Sequence, residues 1–452
     1  MPNFFTKHLR DVNETYLVHF KHAMFFALHT FKTSIALIIH SFLPFILTTT
    51  GSKTIGMLYN LMSIRVKIAN RKMKKQIAII GLGASGIMAL QNIVEQGDNF
   101  EIHIFDKNFH SLGTAYNTCN AQHFLNVRAG NMSAIESDAN HFVDWLKING
   151  WNFTENDFVP RPIYGLYLKS LLHTTIEIAK EKNIIITFFH TEVENISQFE
   201  NYFIINKDIY SQCYLSIGME FANKGKNFWC VNQTAIIESI ANHKEIHIVG
   251  TGLSAFDAIF TIMLANFNGK IILHSRTGKL TMPHQFYAPT EIPNITLENF
   301  NIKTFIKMCK MQNPYAIIDS IRKITPLIWQ SFSVAKKQSI IRHLFKYWNK
   351  YRHRSPANQY NKIIEMIRNN IIEITTTKPP ENAIYCTGFN LQNLTTLEQN
   401  LITNQIIKQD DLQMGIVSIH KNFHIIGGKN FGTLFETMAI PELRLQSKAI
   451  KI

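Results

Sequence analysis

Ile77-Ala78-Ile79-Ile80-Gly81-Leu82-Gly83-Ala84-Ser85-Gly86 is the stretch that decides the fold. Its first four residues are apolar and mostly β-branched, which predicts a buried parallel strand. Glycines follow at G-x-G-x-x-G spacing, and Ile87 to Gln96 reads as a helix. In such a turn the first glycine makes the tight bend and the second lets backbone approach a pyrophosphate. The third lets helix and strand pack closely. The helix N-terminus offers unpaired N–H groups to phosphate. A second strand, Glu101 to Phe105, ends at Asp106, 20 residues beyond Gly86. A carboxylate there can accept both ribose hydroxyls. Gly81, Gly83, Ser85, Gly86 and Asp106 therefore read as one dinucleotide site.

The device recurs. Glu245 to Val249 is a strand, Gly250-Thr251-Gly252-Leu253-Ser254-Ala255 follows, and Phe256 to Ala265 is an apolar helix. Alanine stands at the third glycine position. The next strand, Lys270 to His274, ends in Ser275-Arg276, with no acid at the ribose position. Serine and arginine suit a 2′-phosphate far better than a free hydroxyl. Gly250, Gly252, Ser254, Ser275 and Arg276 are thus expected to hold NADPH, and the first turn FAD. Asp257, early in the second helix, reads as an acid stabilised by the helix dipole.

Two complete turns imply two βαβ units rather than a repeat array. Between them the chain reads as helices at 139–146 and 164–182, then strands at 184–189, 193–196 and 202–205. Cys213 to Ile217 is a strand closing on Gly218. Ala383 to Thr387 repeats that pattern and closes on Gly388. Residues 297–370 are helical in pattern and polar-basic, and read as an insertion. Residues 423–426 form a last strand into Gly427-Gly428, and the final helix starts near Pro441. The expected fold is α/β, with two Rossmann-like units, a helical insertion and an N-terminal extension outside the fold. The segments are 1–72 (extension, disordered or membrane-associated), 73–244 (FAD unit, first part), 245–382 (NAD(P)H unit with its insertion) and 383–452 (FAD unit, return).

Composition agrees with a packed globular chain: 452 residues, 46% hydrophobic and 17% charged. Cys119, Cys213, Cys230, Cys309 and Cys386 form no C-x-x-C pair and no close cluster. That argues against a disulfide framework, a metal site and a dithiol centre, and for a reducing cytoplasm. The formal net charge is +14, and half of it lies in residues 1–72, where nine Lys/Arg face two acids. No basic stripe with interleaved aromatics marks a nucleic-acid binder. Thr33 to Thr50 is uncharged and largely apolar, about the minimum length of a membrane span, but His40 and Pro44 interrupt it. Any membrane association would therefore run through residues 1–72. The competing reading is an upstream extension with no part in the fold, because Met73 begins a Met-Lys-Lys-Gln entry to the first strand.

Residues 73–452 resemble the bacterial FAD/NAD(P)-binding proteins of the flavin-monooxygenase-like class, relatives of amino-acid N-hydroxylating and urate-hydroxylating enzymes. Besides the glycine turns, the likeness rests on Gly113-Thr114-Ala115-Tyr116, Phe124 to Val127, Pro160 to Gly165, Ser275 to His284, Arg352-His353-Arg354 and Glu436 to Gln446. It implies that Asn126 and the Gly113–Tyr116 loop, Thr114 included, contact FAD. It also implies that the turn from Gly427 to Thr433 lies near the flavin. The insertion and the N-terminus have no counterpart in the N-hydroxylase pattern.

The expected activity is an FAD- and NADPH-dependent oxidoreductase: a single-component monooxygenase that uses molecular oxygen, through a peroxyflavin, on a small polar substrate. The alternative is a reductase or a redox-sensing flavoprotein acting through a protein partner. No catalytic residue can be named from the sequence. His284 reads as a donor to a phosphate or flavin oxygen, or as an ordinary loop histidine. Arg352-His353-Arg354 reads as an anion site or a solvated basic turn. Arg161 and Tyr164 read as a helix start that could line the cleft.

Overall fold

The computed structural model describes residues 8–9, 14–69, 75–109, 112–231, 236–238, 243–288 and 293–452. Met73, the start-like residue, lies outside them. The strands of the first half are β1 (Lys75–Ile80), β2 (Phe100–Phe105), β3 (Ile185–Phe189), β4 (Ser197–Phe199), β5 (Tyr202–Ile205), β6 (Asp208–Tyr210) and β7 (Gln212–Leu215). The second half adds β8 (Glu245–Val249), β9 (Lys270–His274), β10 (Ile372–Thr375), β11 (Ile384–Tyr385), β12 (Ile407–Gln409), β13 (Ile416–Ser418) and β14 (Phe423–Ile425).

β1 is apolar at every position from Ile77 to Ile80, and both of its faces are covered. Ile77 and Ile79 pack on one side with Ile87, Leu90 and Ile93 of the helix Ala84–Gln96. Ala78 and Ile80 face the other way, onto Phe203, Ile205, Leu397 and Leu401. This is the period-two alternation of a central strand buried on both faces. The sheet has the order β14-β7-β1-β2-β3, and every pairing in it is parallel. The small antiparallel sheet β4-β5-β6 covers part of the second face.

The second unit is a smaller parallel sheet, β10-β9-β8-β11. Ile246, Ile248, Ile271 and Leu273 bury against Phe256, Ile259 and Phe260 of the helix Leu253–Leu264, and against Ile363. The chain thus has the expected α/β class with two Rossmann-like units.

Three details depart from expectation. Residues 193–196 form no strand: Val193 and Ile196 simply bury in the core beneath β4. β6 was not foreseen, because its hairpin turns at Asn206 and Lys207, both at positive φ, without the glycine that usually announces such a turn. β11 pairs with β8, so the second unit runs past residue 382 and the chain returns to the first unit only after Gly388.

The insertion holds helices Ile302–Met311, Pro314–Ser320, Thr325–Ser331, Val334–His343 and Phe345–Arg352, followed by Ala357–Arg368. The last belongs to the second unit's core through Ile363. The others are polar outside but cluster Trp329 and Ile340 with Phe431 and Phe435 of the returning segment. The N-terminal extension is helical over Tyr16–Phe42 and Thr50–Ala69, a hairpin outside both cores rather than a disordered leader.

Candidate dinucleotide sites and the interface between them

Parallel pairing brings the ends of β1, β2, β7 and β14 to one edge, so Gly81, Asp106, Gly218 and Gly427 share the crevice beyond the strands' carboxyl ends. Gly81 has φ +92°, and a side chain there would strike the Ser216 carbonyl at 2.5 Å. A side chain at Gly86 would collide with the Gly81 carbonyl. These two glycines are required by the protein itself. Gly83 differs: a Cβ there would come no nearer than 3.5 Å, to Gly113 Cα. The protein itself leaves room at this position, as the turn expected to receive a pyrophosphate would need. Gly113 is thereby placed against the turn, with Thr114 exposed beside it. Ser85 lies next to Gly427, where a Cβ would sit 3.3 Å from Ser85 Oγ. Asp106 accepts from the backbone N–H of Leu82 and of Asn108, both at 2.6 Å. Each carboxylate oxygen keeps a further lone pair, and the two bonds hold the acid beside the turn.

In the second unit Gly250 has φ +122° and lies under the Cys386 carbonyl, repeating Gly81 under Ser216. No atom lies within 4 Å of a Cβ built at Gly252, so that backbone is open. Ser275 Oγ accepts from Thr251 Oγ1 at 3.3 Å, tying the end of β9 to the turn. Arg276 next to it is exposed and forms no ion pair among the described residues. Ser254 Oγ accepts from Trp229 Nε1 at 3.2 Å.

Gly218 and Gly388, both expected at the cofactors, also have a structural role. Each opens a connector between the units, and the two connectors pair. Ala222 N–H donates to the Gly388 carbonyl at 2.9 Å, Asn390 N–H donates to the Glu220 carbonyl at 2.8 Å, and Phe221 bridges Phe389.

The most consequential contacts were missed in the sequence. Arg161, on the helix Arg161–Glu181, reaches Asp257 across the unit boundary: Nη2 lies 3.2 Å from Oδ2. Arg161 also donates through Nε to the Phe124 carbonyl and stacks over Trp229. Asp257 is therefore a buried interface acid, not an N-terminal dipole acid. Burial pushes its carboxyl up to about 6, against the opposing pull of Arg161. His123 lies beside it, with Nε2 donating to the Asp257 carbonyl at 3.0 Å and Nδ1 2.8 Å from Thr118 Oγ1. Burial first, then the Arg161 charge, lower its pKa to about 4, so the ring is neutral. The available signal was the one charged residue in the largely apolar run Leu253–Leu264, since a buried charge needs a partner.

His284 is also neutral, its pKa lowered to about 4 by burial and then by Arg354. Its Nε2 donates to the Asn126 carbonyl at 2.9 Å, joining the second unit to the strip expected at the flavin. Tyr164 is buried and donates to the Met132 carbonyl, so it does not line the cleft. Arg352-His353-Arg354 is neither an anion site nor a solvated turn. Arg352 is buried between Glu436 and Glu442, each at 3.2 Å, and Arg354 pairs with Asp319. The Arg352 pairs lock the insertion onto the Glu436–Gln446 segment, while Arg354 and Asp319 tie two parts of the insertion together.

Comparison with known proteins agrees with this geometry. Residues 78–208 match the family model described as FAD-NAD(P)-binding. Residues 2–65 match a family of unknown function (DUF6356). No curated protein sequence matches the chain. Similar solved structures include ornithine hydroxylase from Pseudomonas aeruginosa, at TM-score 0.55 and 14% identity, covering 83% of this chain and 97% of that one. An ornithine N-hydroxylase from Kutzneria sp. 744, described with reduced FAD, NADP+ and L-ornithine, gives 0.53 at 10% identity, covering 83% and 97%. L-lysine 6-monooxygenase from Pseudomonas syringae gives 0.52 at 11%, covering 82% and 96%. Residues 78–208 thus match an FAD-NAD(P)-binding family, in a chain whose fold is that of the ornithine and lysine hydroxylases.

Proposed function

We propose that the protein is a single-component, FAD- and NADPH-dependent monooxygenase that hydroxylates a small polar substrate with molecular oxygen. The observation that carries this reading is the pairing of two dinucleotide turns across one interface, joined by Arg161 and Asp257. FAD would be held by Gly81, Gly83, Ser85, Gly86, Asp106, Gly113, Thr114, Asn126, Gly218 and Gly427. NADPH would be held by Gly250, Gly252, Ser254, Ser275, Arg276 and Gly388. When bound, the flavin supplies hydride acceptance and oxygen chemistry.

The chain's own residues supply geometry. Arg276 presents an unpaired guanidinium at the end of β9, suited to a 2′-phosphate. The neutral His284 fixes the Asn126 backbone from the second unit, so the strip at the first site and the loop after β9 move together. His123, Phe228 and Trp229 form an aromatic cluster that keeps the interface dry. We place the activity on the cytoplasmic side, in keeping with five unpaired cysteines.

The test is made on the full-length protein. A bound or reconstituted flavin spectrum, and faster anaerobic reduction by NADPH than by NADH, are expected. NADPH consumption is then matched against hydroxylated product over a panel of amines, amino acids and purines. Hydrogen peroxide release equal to NADPH consumed for every compound, with no hydroxylated product, would overturn the monooxygenase reading.

A further inference from the structure

The N-terminal hairpin plays no part in either dinucleotide site, yet its surface is unusual. We propose that the hairpin Tyr16–Ala69 is a monotopic membrane anchor whose tip inserts into one leaflet of a bilayer carrying anionic lipids.

The tip is apolar and free. Residues 41–49 are all exposed, with Phe42 at 80% and Phe45 at 76%. Ile35, Leu37, Ile38, Leu43 and Leu47 extend the exposed apolar surface along the same end. No Lys, Arg, Asp or Glu occurs from Thr33 through Ser52. A solvated loop tip of this composition is an expensive surface, and a contiguous patch of this kind marks a binding face.

Several polar side chains flanking the tip bond internally, which lowers the cost of moving them into hydrocarbon. Thr33, Ser34 and Ser41 donate to the carbonyls of His29, Thr30 and Ile38. His40 Nδ1 donates to the Ile46 carbonyl at 2.8 Å, closing the turn after the first helix. Ser52 and Thr54 donate to Thr49 and Thr50.

Length selects the mode of insertion. The helix from Thr33 to Phe42 rises about 15 Å at 1.5 Å per residue. The hydrocarbon core is about 30 Å thick, so the tip reaches only its middle. The chain then turns at Pro44 and comes back. Gly51 closes on Leu37, which places Lys53 within about one helical turn of the level of Lys32. Lys21, Lys32 and Lys53 are exposed and form no ion pair among the described residues. Lys32 and Lys53 thus stand at the foot of the apolar tip, where an anionic headgroup layer would meet them, and the sequence of residues 1–72 carries nine Lys/Arg against two acids. The base is also fastened to the body. Glu14 gathers His19, His22 and Arg65, and His22 Nε2 lies 3.0 Å from Glu200 of the first unit.

The test uses the full chain and vesicles of phosphatidylcholine alone or with about 30% phosphatidylglycerol. Co-sedimentation is expected to be about tenfold tighter on the anionic vesicles. The Phe42→Ser/Phe45→Ser variant should lose it while keeping its flavin spectrum, and Lys32→Glu/Lys53→Glu should weaken it. All five tryptophans lie beyond residue 144, so Phe45→Trp adds a tip reporter. Its emission should be quenched more by lipids brominated near the acyl ends than by lipids brominated near the headgroups. The reverse order would mean a hairpin lying flat and would overturn insertion. Absence of binding to either vesicle, or binding replaced by a dimer that Phe42→Ser/Phe45→Ser dissolves, would overturn the proposal outright.

Discussion

Arg161 and Asp257 meet 3.2 Å apart at the boundary of the two nucleotide-binding units, one on the helix Arg161–Glu181 and the other on the helix after the second glycine turn. The acid is the more deeply buried partner, so the pair is asymmetric: removing the arginine strands a buried carboxylate. Arg161→Met should cost about 3–5 kcal/mol in urea unfolding. Adding Asp257→Asn should restore part of that loss. A single variant as stable as the wild type, or a double variant no better than the single, would show that the pair is not coupled.

The neutral His123 predicts a pH dependence of known sign. Its pKa is about 4 in the folded chain against an ordinary 6.5. Between those values only the unfolded chain takes the proton. The histidine's contribution is therefore complete above 6.5 and is lost as pH falls toward 4, with a slope of up to about 1.4 kcal/mol per pH unit. Asp257 titrates in the same window with the opposite sign but is present in both proteins compared. Stability curves of wild type and His123→Gln should thus converge on acidification; parallel curves would contradict a buried, neutral ring.

Gly83 and Gly86 should fail in different ways. The Cβ of a valine at Gly83 meets nothing nearer than Gly113 Cα at 3.5 Å, so the apoprotein should fold with a near-normal melting temperature and yet take up no FAD. Valine at Gly86 collides with backbone and should destabilise the fold itself. Flavin absorbance together with thermal melts separates the two. Normal flavin uptake by Gly83→Val would remove the pyrophosphate from that turn.

Arg276→Ala should leave stability unchanged, because the side chain is exposed and unpaired. Its expected effect is on NADPH alone: a loss of one charged hydrogen-bonding partner, about 1.5–3 kcal/mol or roughly 10- to 100-fold in affinity. Titration with NADPH and NADH checks this, and an equal effect on both would place the 2′-phosphate elsewhere.

Arg352→Met tests the lock between insertion and return segment. It leaves Glu436 and Glu442 without their shared buried cation, and should cost about 3–5 kcal/mol. A variant that unfolds within 0.5 kcal/mol of wild type, on the order of an ordinary surface substitution, would mean that Trp348 and Arg322 suffice to hold those acids.

Both glycine turns were legible because their requirements are local. Gly81, Gly86 and Gly250 answer to a strand, a bend and a helix within a few residues, and Ser275-Arg276 needs only the end of the next strand. The β6 hairpin was not legible, since Asn206 and Lys207 adopt positive φ without a glycine to announce it.

By itself, then, the sequence determined two strand–glycine–helix units, the absence of an acid after β9 and the break in composition before the first strand. Only the tertiary structure decided which charges are buried. Arg161 and Asp257 are 96 residues apart, and Arg352 and Glu442 are 90 apart. A lone acid in an apolar run hints that Asp257 is buried, but neither local sequence names the partner, because pairing and desolvation depend on what packs above a side chain, and that is set by contacts between elements.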